Sequence, residues 1–267
     1  MTSTGATSTA GRPPIVDEAT WQAARDELLL REKAHTHEGD AIAAARRRLP
    51  MFEIDGATVV TGANGPVPFL DVFEGRDELV VYQHMWYDGA PHQGQCEGCT
   101  VSAWHIKDAA YLNARGVSFA FITPGPWAEV EPFVDFMGYT LPWYSVPDET
   151  PLGGGMGSFS CFLRDGGRVF MTYTTTGRGT EVASGSFALL DMTPYGRGES
   201  WQDNPPGWPV IGQVRDGYPQ GRGQACWYWR VDATGAAAWD GTGRPTPQWT
   251  RPGATAEETL GRGTTCH

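Results

Sequence analysis

The chain has 267 residues, with 20 Lys and Arg against 31 Asp and Glu, so its formal net charge is −11. Hydrophobic residues make up 40% and include eleven Trp, which is enough for a sizeable core and excludes wholesale disorder. No run approaches the roughly eighteen apolar residues of a membrane span, so we expect no membrane partner. The acidic balance, with no basic stripe to offset it, also predicts that the chain does not bind nucleic acid.

The N-terminal region divides into a tail and a helix. Residues 1–14 are small and polar and end in Pro, which predicts a disordered tail. The tail has no apolar stretch of the signal-peptide kind, so we expect a cytoplasmic protein without a disulfide framework. From Asp17 apolar residues recur on one face and predict a long helix, with Asp17 or Thr20 as its cap. It ends before Pro50, with a candidate break at Gly39.

The middle of the chain alternates strand and helix patterns. A hairpin with GANG as its turn is predicted first, and the apolar run ELVVYQHMW then predicts a buried central strand. Cys96-Glu-Gly-Cys99 follows, and the pattern after it predicts a single helix ending at Gly116. The next predicted elements are, in order, the strand VSFAFIT, the helix WAEVEPFVDFMG, the extended piece LPWYSV, the hairpin SFSCFLRDGGRVFMTYTTT and the closing helix GTEVASGSFALLDMTPYG.

This order of elements predicts the fold class. A strand, a CxxC at a helix start, a second strand and helix, and then a hairpin and a helix are the thioredoxin-like α/β arrangement. We therefore expect a thioredoxin-like domain over residues 15–200, including the N-terminal helix. Residues 201–267 are rich in Gly, Pro and Trp and predict an irregular C-terminal extension that wraps the main domain.

The CxxC pair is the strongest chemical signal in the sequence. A thiolate is the nucleophile in thiol chemistry, and the positive end of a helix favours it, so Cys96 at the helix start is the expected attacking thiol. Cys99, one turn into the helix, is the expected resolving thiol. Glu97 carries a negative charge between them and is expected to oppose thiolate formation. The alternative is a pair of reduced, inert thiols. Three further cysteines, Cys161, Cys226 and Cys266, stand alone in the sequence.

Histidines near this motif leave a metal site open as an alternative. His92 is four residues before Cys96, and His35 and His37 form an HxH in the N-terminal helix. Thiolates with imidazoles suit zinc or copper, so these residues with both cysteines are candidate ligands. The competing interpretation places His35 and His37 on a solvated helix face. No phosphate-cradling Gly-Lys-Ser/Thr loop or GxSxG nucleophile elbow occurs, which argues against those enzyme classes.

Several blocks of the sequence resemble a known family. They are APHQGQCEGCT, HTHEGDAIAAARRRLPM, CFLRDGGRVFMTYTTTGRG and LLDMTPYGRGE. They are similar to the thioredoxin-like proteins grouped as domain of unknown function 899, and the resemblance covers roughly residues 15–210. The resemblance implies a dithiol–disulfide oxidoreductase whose two motif cysteines are Cys96 and Cys99.

One departure from the wider thioredoxin pattern bears on the choice between thiol exchange and metal binding. Thioredoxins place a cis-proline just before the strand that faces the CxxC, where it shields the disulfide and limits metal capture. The matching stretch here, GGGMGSFSCF, has no proline, which leaves more room for a metal. The Pro-x-x-x-Thr-x-x-Cys signature of peroxiredoxins is also absent.

Three functions follow from these observations. The first is a thiol–disulfide oxidoreductase that needs no cofactor and acts on a thiol or disulfide substrate or a small molecule, with His92 assisting proton transfer to the cysteine pair. The second is a copper- or zinc-binding thioredoxin-fold protein, either a metal-dependent oxidoreductase or a carrier, with Cys96, Cys99, His92, His35 and His37 as ligands. The third is a non-catalytic binding module. The sequence leaves the substrate and the electron donor open, and it is compatible with a homodimer.

Overall fold

The computed structural model describes residues 11–90, 92, 95–146, 152–197, 202–203 and 205–208. Of these, the residues within Met1–Pro50 and Asp203–Pro209 form one compact unit, and those within Met51–Gln202 form another. The predicted tail over residues 1–14 and the predicted C-terminal extension lie mostly outside the described residues. None of the helices in the described part of the chain is long and apolar enough to cross a membrane.

The first unit contains one long helix, α1, from Glu18 to Arg46. The Asp17 carboxylate accepts a hydrogen bond from the Thr20 amide at 2.8 Å, which confirms Asp17 as the cap. The same bond lowers the pKa of Asp17. Gly39 does not interrupt the helix. No residue of α1 is buried.

The second unit is built on an eight-stranded sheet. Its strands are β1 Phe52–Ile54, β2 Val59–Gly62, β3 Gly65–Pro68, β4 Glu78–Gln83, β5 Val117–Thr123, β6 Trp143–Ser145, β7 Ser158–Asp165 and β8 Arg168–Thr176. They lie in the order β1-β8-β7-β4-β5-β6-β2-β3. The predicted GANG turn joins β2 to β3 as an antiparallel hairpin, and Asp165 pairs with Arg168 across the β7–β8 turn. The helices are α2 Glu97–His105, α3 Ala110–Ala114, α4 Trp127–Met137 and α5 Gly185–Asp191, with 3₁₀ helices at Phe69–Phe73 and Gly177–Ala183.

The centre of the sheet has the thioredoxin-like topology. Strand β4 runs parallel to β5 and antiparallel to β7, and β7 pairs antiparallel with β8. These four strands therefore lie in the order β8-β7-β4-β5, with α2 in the crossover between the parallel pair. A βαβ unit followed by a ββα unit in this order is the thioredoxin-like fold, so the predicted fold class is confirmed.

Alternation along the two central strands separates two apolar cores. On β4, Val81 packs in a core that also contains Phe69 and Phe162, whereas Tyr82 faces a second core. On β5, Ile122 joins the first core and Phe121 the second, as the two-residue period of a strand requires. The second core contains both motif cysteines, so the candidate site lies on this face of the sheet.

The helix predicted after the CxxC is wrong in one respect, because it is broken into α2 and α3. The Asp108 carboxylate accepts a hydrogen bond from the Ala110 amide at 3.0 Å and so begins a new helix. Such a local side-chain bond competes with continuation of the first helix. Ile106, between the two helices, has extended backbone angles.

The predicted closing helix is also divided. Its first part is the 3₁₀ helix Gly177–Ala183, and only Gly185–Asp191 is α-helical. Ser184 lies between them with non-helical angles and is followed by Gly185. Because serine and glycine both favour helix boundaries over helix interiors, this pair explains the division.

Candidate functional site around Cys96 and Cys99

The cysteine pair lies at the start of α2, next to the end of the central strand β4. Cys96 is the residue immediately before the helix, which begins at Glu97, and Cys99 lies one turn further on. The Cys96 carbonyl accepts hydrogen bonds from the Thr100 amide at 2.9 Å and the Thr100 hydroxyl at 2.8 Å. The partial positive charge of the helix N-terminus therefore lies beside Cys96, as its position in the sequence predicts.

Both cysteines are thiols in the structure and both are buried. Cys96 exposes 3% of its surface and Cys99 exposes 2%. Residues three apart in the first turn of a helix have Cα atoms about 5 Å apart, a separation that a disulfide spans. The spacing of the pair is therefore compatible with a disulfide between the two thiols.

Met85 contacts both cysteines from the segment that follows β4. Its amide N–H donates to Cys99 Sγ at 3.4 Å, and its own thioether Sδ lies 3.9 Å from Cys96 Sγ. Gly157 lies behind the thioether, since a Cβ on this glycine would be 3.5 Å from Met85 Sδ. Gly157 belongs to the stretch where the sequence lacks the cis-proline, and the Met85 side chain lies between that stretch and Cys96.

Tyr82 provides a second hydrogen bond to Cys99. Its hydroxyl is hydrogen-bonded to Cys99 and to the Ser102 side chain. Burial raises the pKa of Tyr82 well above its usual value, and the neighbouring Cys99 raises it further. The phenol is therefore protonated at any physiological pH and donates its proton toward the Cys99 sulfur.

Aromatic rings enclose this face of the site. Tyr139 stacks on Trp143 at 5.3 Å between ring centroids, and Trp143 stacks on Phe121 at 4.7 Å. The Tyr139 hydroxyl donates to the Thr100 carbonyl at 3.3 Å, which ties the aromatic stack to the first turns of α2. Burial and the nearby Cys99 raise the pKa of Tyr139 well above its usual value. The cysteines thus lie in a largely apolar environment.

His84 is fully buried directly after β4, and only one of its two ring nitrogens has a hydrogen-bond partner among the described residues. Its Nδ1 is hydrogen-bonded to the Met85 carbonyl at 2.6 Å, whereas its Nε2 has no hydrogen-bond partner among the residues that the structure describes. The Trp143 ring lies 5.1 Å from the imidazole. Burial lowers the pKa of His84 from 6.5 to about 3. The imidazole is therefore neutral, and Nδ1 carries the proton that it donates to the Met85 carbonyl.

The histidines that the sequence proposes as ligands lie on different elements. The His92 ring packs on α4, with its centroid 5.0 Å from Phe136 and 6.0 Å from Phe133. His35 and His37 are exposed on α1, in the other compact unit. Within the described residues, no group of three or more His, Cys, Asp or Glu side chains is placed to hold a metal ion. The metal set built on these histidines stays a prediction.

Sequence reasoning missed two residues that contact the cysteines. Met85 and Tyr82 both belong to the run ELVVYQHMW, which the sequence marks only as a buried strand. The period of two places Tyr82 on one face of β4, but nothing in the sequence states which face receives α2. The topology supplies that information.

These observations define a protein with a thioredoxin-like fold and a buried CxxC at a helix N-terminus. The family described as bacterial protein of unknown function, DUF899, matches residues 10–150 and 148–234 of the chain. The chain belongs to this family, as its sequence blocks indicate. No curated protein matches it.

Several solved structures are distantly similar to the chain. Peroxiredoxin Q from Xanthomonas campestris is 16% identical, with a TM-score of 0.36, and the match covers 52% of this chain and 95% of that one. Peroxidoxin BcpB from Mycobacterium tuberculosis is 17% identical, with a TM-score of 0.33 and coverages of 52% and 89%. A secreted disulfide oxidoreductase from Mycobacterium tuberculosis is 16% identical, with a TM-score of 0.30 and coverages of 50% and 96%. These likenesses are too distant to transfer an activity.

Proposed function

We propose that the protein is a thiol–disulfide oxidoreductase in which Cys96 attacks and Cys99 resolves. The observation that carries this proposal is the placement of the pair. Cys96 lies at the N-terminus of α2, and Cys99, one turn on, is held by donors from Met85 and Tyr82. The helix end favours a thiolate at Cys96, and the two donors favour a thiolate at Cys99.

The proposed reaction consists of two exchanges. The Cys96 thiolate attacks one sulfur of a substrate disulfide, which forms a mixed disulfide and releases the other half of the substrate as a thiolate. The Cys99 thiolate then attacks the Cys96 sulfur, which closes the Cys96–Cys99 disulfide and releases the second half. The substrate gains two electrons, and the two cysteines lose them. A thiol or dithiol donor returns the pair to its reduced form.

The surroundings of the pair favour a particular kind of substrate. Because Cys96 exposes only 3% of its surface, a slender disulfide with little bulk beside the reacting sulfur is the best match. The aromatic stack excludes water from this face, which strengthens hydrogen bonds to a developing thiolate. His92, on the α4 side, is proposed to assist the proton transfers.

Redox titration tests the proposal. The full chain is equilibrated with mixtures of reduced and oxidised dithiothreitol, quenched with an alkylating agent and examined by peptide mass spectrometry. We expect Cys96 and Cys99 to convert together and reversibly between two thiols and one disulfide, and the reduced protein to accelerate reduction of a small disulfide. A pair that stays reduced under every oxidising mixture would contradict the proposal and favour a non-catalytic module.

A further inference from the structure

Met85 contacts both cysteines at the start of α2, through its sulfur on Cys96 and through its amide on Cys99. Cys96 Sγ lies 3.9 Å from Met85 Sδ, and Cys99 Sγ lies 3.4 Å from the Met85 amide nitrogen. Met85 lies outside α2, so two separate segments of the chain bring the three sulfur-bearing residues to this place. The proposed thiol exchange uses the two thiols and leaves the thioether without a chemical role.

The spacing suits a metal ion bound by sulfur. A zinc–thiolate bond is about 2.3 Å long, and two sulfurs at 120° around a centre with such bonds lie about 4.0 Å apart. The observed 3.9 Å between Cys96 Sγ and Met85 Sδ agrees with this geometry. The separation of the two sulfurs in the structure is therefore the separation that a bound ion requires, so the thioether would not need to move when an ion enters.

The donor set selects the ion. Thiolates and thioethers are soft ligands that favour Cu(I), whereas the usual protein site for Zn(II) has four ligands drawn from Cys, His and carboxylates. The described part of the chain offers no His, Asp or Glu that completes such a set with the two cysteines. Two thiolates and one Cu(I) carry a net charge of −1, which the N-terminus of α2 favours.

We propose that Cys96, Cys99 and Met85 form a three-coordinate, all-sulfur site for Cu(I). Binding exchanges the two thiol protons for the ion: Cu(I) enters, two Cu–thiolate bonds and one Cu–thioether bond form, and two protons leave. No electron is transferred. The site goes beyond the proposed oxidoreductase function and does not depend on it, although the two functions share the cysteines.

The experiment is a competition for Cu(I) under anaerobic conditions. The reduced full chain is titrated against the coloured Cu(I) complex of bicinchoninate. We expect one Cu(I) per chain, and a loss of about a hundredfold or more in affinity for Cys96→Ser or Cys99→Ser. Met85→Leu keeps the shape of the side chain and removes the sulfur, so we expect a loss of about tenfold, which is about 1.4 kcal/mol. X-ray absorption should show three sulfurs around the ion in the wild type and two in Met85→Leu.

Two controls separate the site from other effects. Met171→Leu removes a thioether from the opposite core and should leave the affinity unchanged. A chain with Ser at Cys161, Cys226 and Cys266 should bind Cu(I) as the wild type does. Failure of the wild type to take Cu(I) from bicinchoninate overturns the proposal, as does an unchanged affinity in Met85→Leu. Copper binding is measured on the fully reduced chain with no disulfide present, and the redox titration of the wild type is run without copper. Failure of one measurement therefore leaves the other proposal standing, which distinguishes this site from the proposed oxidoreductase function.

Discussion

Removing the Tyr82 hydroxyl should make the Cys99 thiol harder to ionise, and so slow the second step of the proposed exchange. The hydroxyl is hydrogen-bonded to Cys99, and the raised pKa of Tyr82 keeps it a donor throughout the neutral range. A hydrogen bond to a charged group contributes about 1.5–3 kcal/mol. Bonds to sulfur are long, and the Met85 amide remains at 3.4 Å, so the lower end applies.

This energy converts into two opposing effects on the rate. A loss of about 1.4 kcal/mol lowers the fraction of Cys99 present as thiolate about tenfold near neutral pH. The more basic thiolate is also more nucleophilic. With a Brønsted slope of about 0.4–0.5, each remaining thiolate reacts about threefold faster. Tyr82→Phe should therefore slow the resolving step about three- to fourfold at neutral pH. At high pH, where Cys99 is fully ionised in both proteins, the variant should be no slower than the wild type.

Stopped-flow mixing with a dipyridyl disulfide, whose flat rings add little bulk beside the sulfurs and whose released thiol absorbs light, measures both steps. The first release reports attack by Cys96, and the second reports closure of the Cys96–Cys99 disulfide. A background with Ser at Cys161, Cys226 and Cys266 keeps other thiols out of the signal. Tyr144→Phe, which removes a hydroxyl beside the opposite core, is the matched control and should change neither phase. If Tyr82→Phe leaves the midpoint of the second phase's pH profile unmoved, instead of raising it by about one unit, the proposed donor role is wrong.

Four further predictions concern stability, each measured by urea unfolding. Burial lowers the pKa of His84 from 6.5 in the unfolded chain to about 3 in the folded protein. Below pH 6.5 the unfolded chain therefore binds a proton that the folded protein does not, so the free energy of unfolding falls between pH 6.5 and about pH 3. This loss should amount to about 2 kcal/mol between pH 7 and pH 5, and it should be absent in His84→Phe; an equal pH dependence in both proteins would contradict it. Phe162→Ala should cost about 3–5 kcal/mol, because this ring is 2% exposed in the core opposite the cysteines, and a cost below about 1 kcal/mol would show that the core relaxes. Gly157→Ala should destabilise the protein by about 1–2 kcal/mol, because Gly157 has a φ of +72°, which a residue with a Cβ rarely adopts. Gly39 lies inside α1 with no atom within 4 Å of its Cβ position, so Gly39→Ala should stabilise the helix by up to about 1 kcal/mol.

The order of elements was predictable because each rests on a local pattern. The apolar run ELVVYQHMW, the CxxC after it and the hairpin SFSCFLRDGGRVFMTYTTT each have a short-range signature, and together they specify the thioredoxin-like topology. The breaks at Asp108 and Ser184 were missed, because a single carboxylate or a serine–glycine pair decides whether a helix continues. The helical spacing of apolar residues is judged over many positions, so it does not register a break that one or two residues cause.

The site was only partly predictable. The helix position of Cys96 follows from the spacing alone, and the structure agrees with it. The contacts of Met85 and Tyr82 with the cysteines depend on which face of β4 receives α2, and no pattern in one sequence gives that information. His92 shows the opposite case, because nearness to Cys96 in the sequence did not reveal that its ring packs on Phe136.

Trapping the mixed disulfide tests the central claim most directly. Cys99→Ser and Cys96→Ser variants are each incubated with a small disulfide and examined by intact and peptide mass spectrometry. If Cys96 attacks and Cys99 resolves, Cys99→Ser should accumulate one adduct, on Cys96, while Cys96→Ser should form none on Cys99 over the same time. Equal labelling of both variants, or an adduct that accumulates on Cys99 alone, would contradict the assignment of roles.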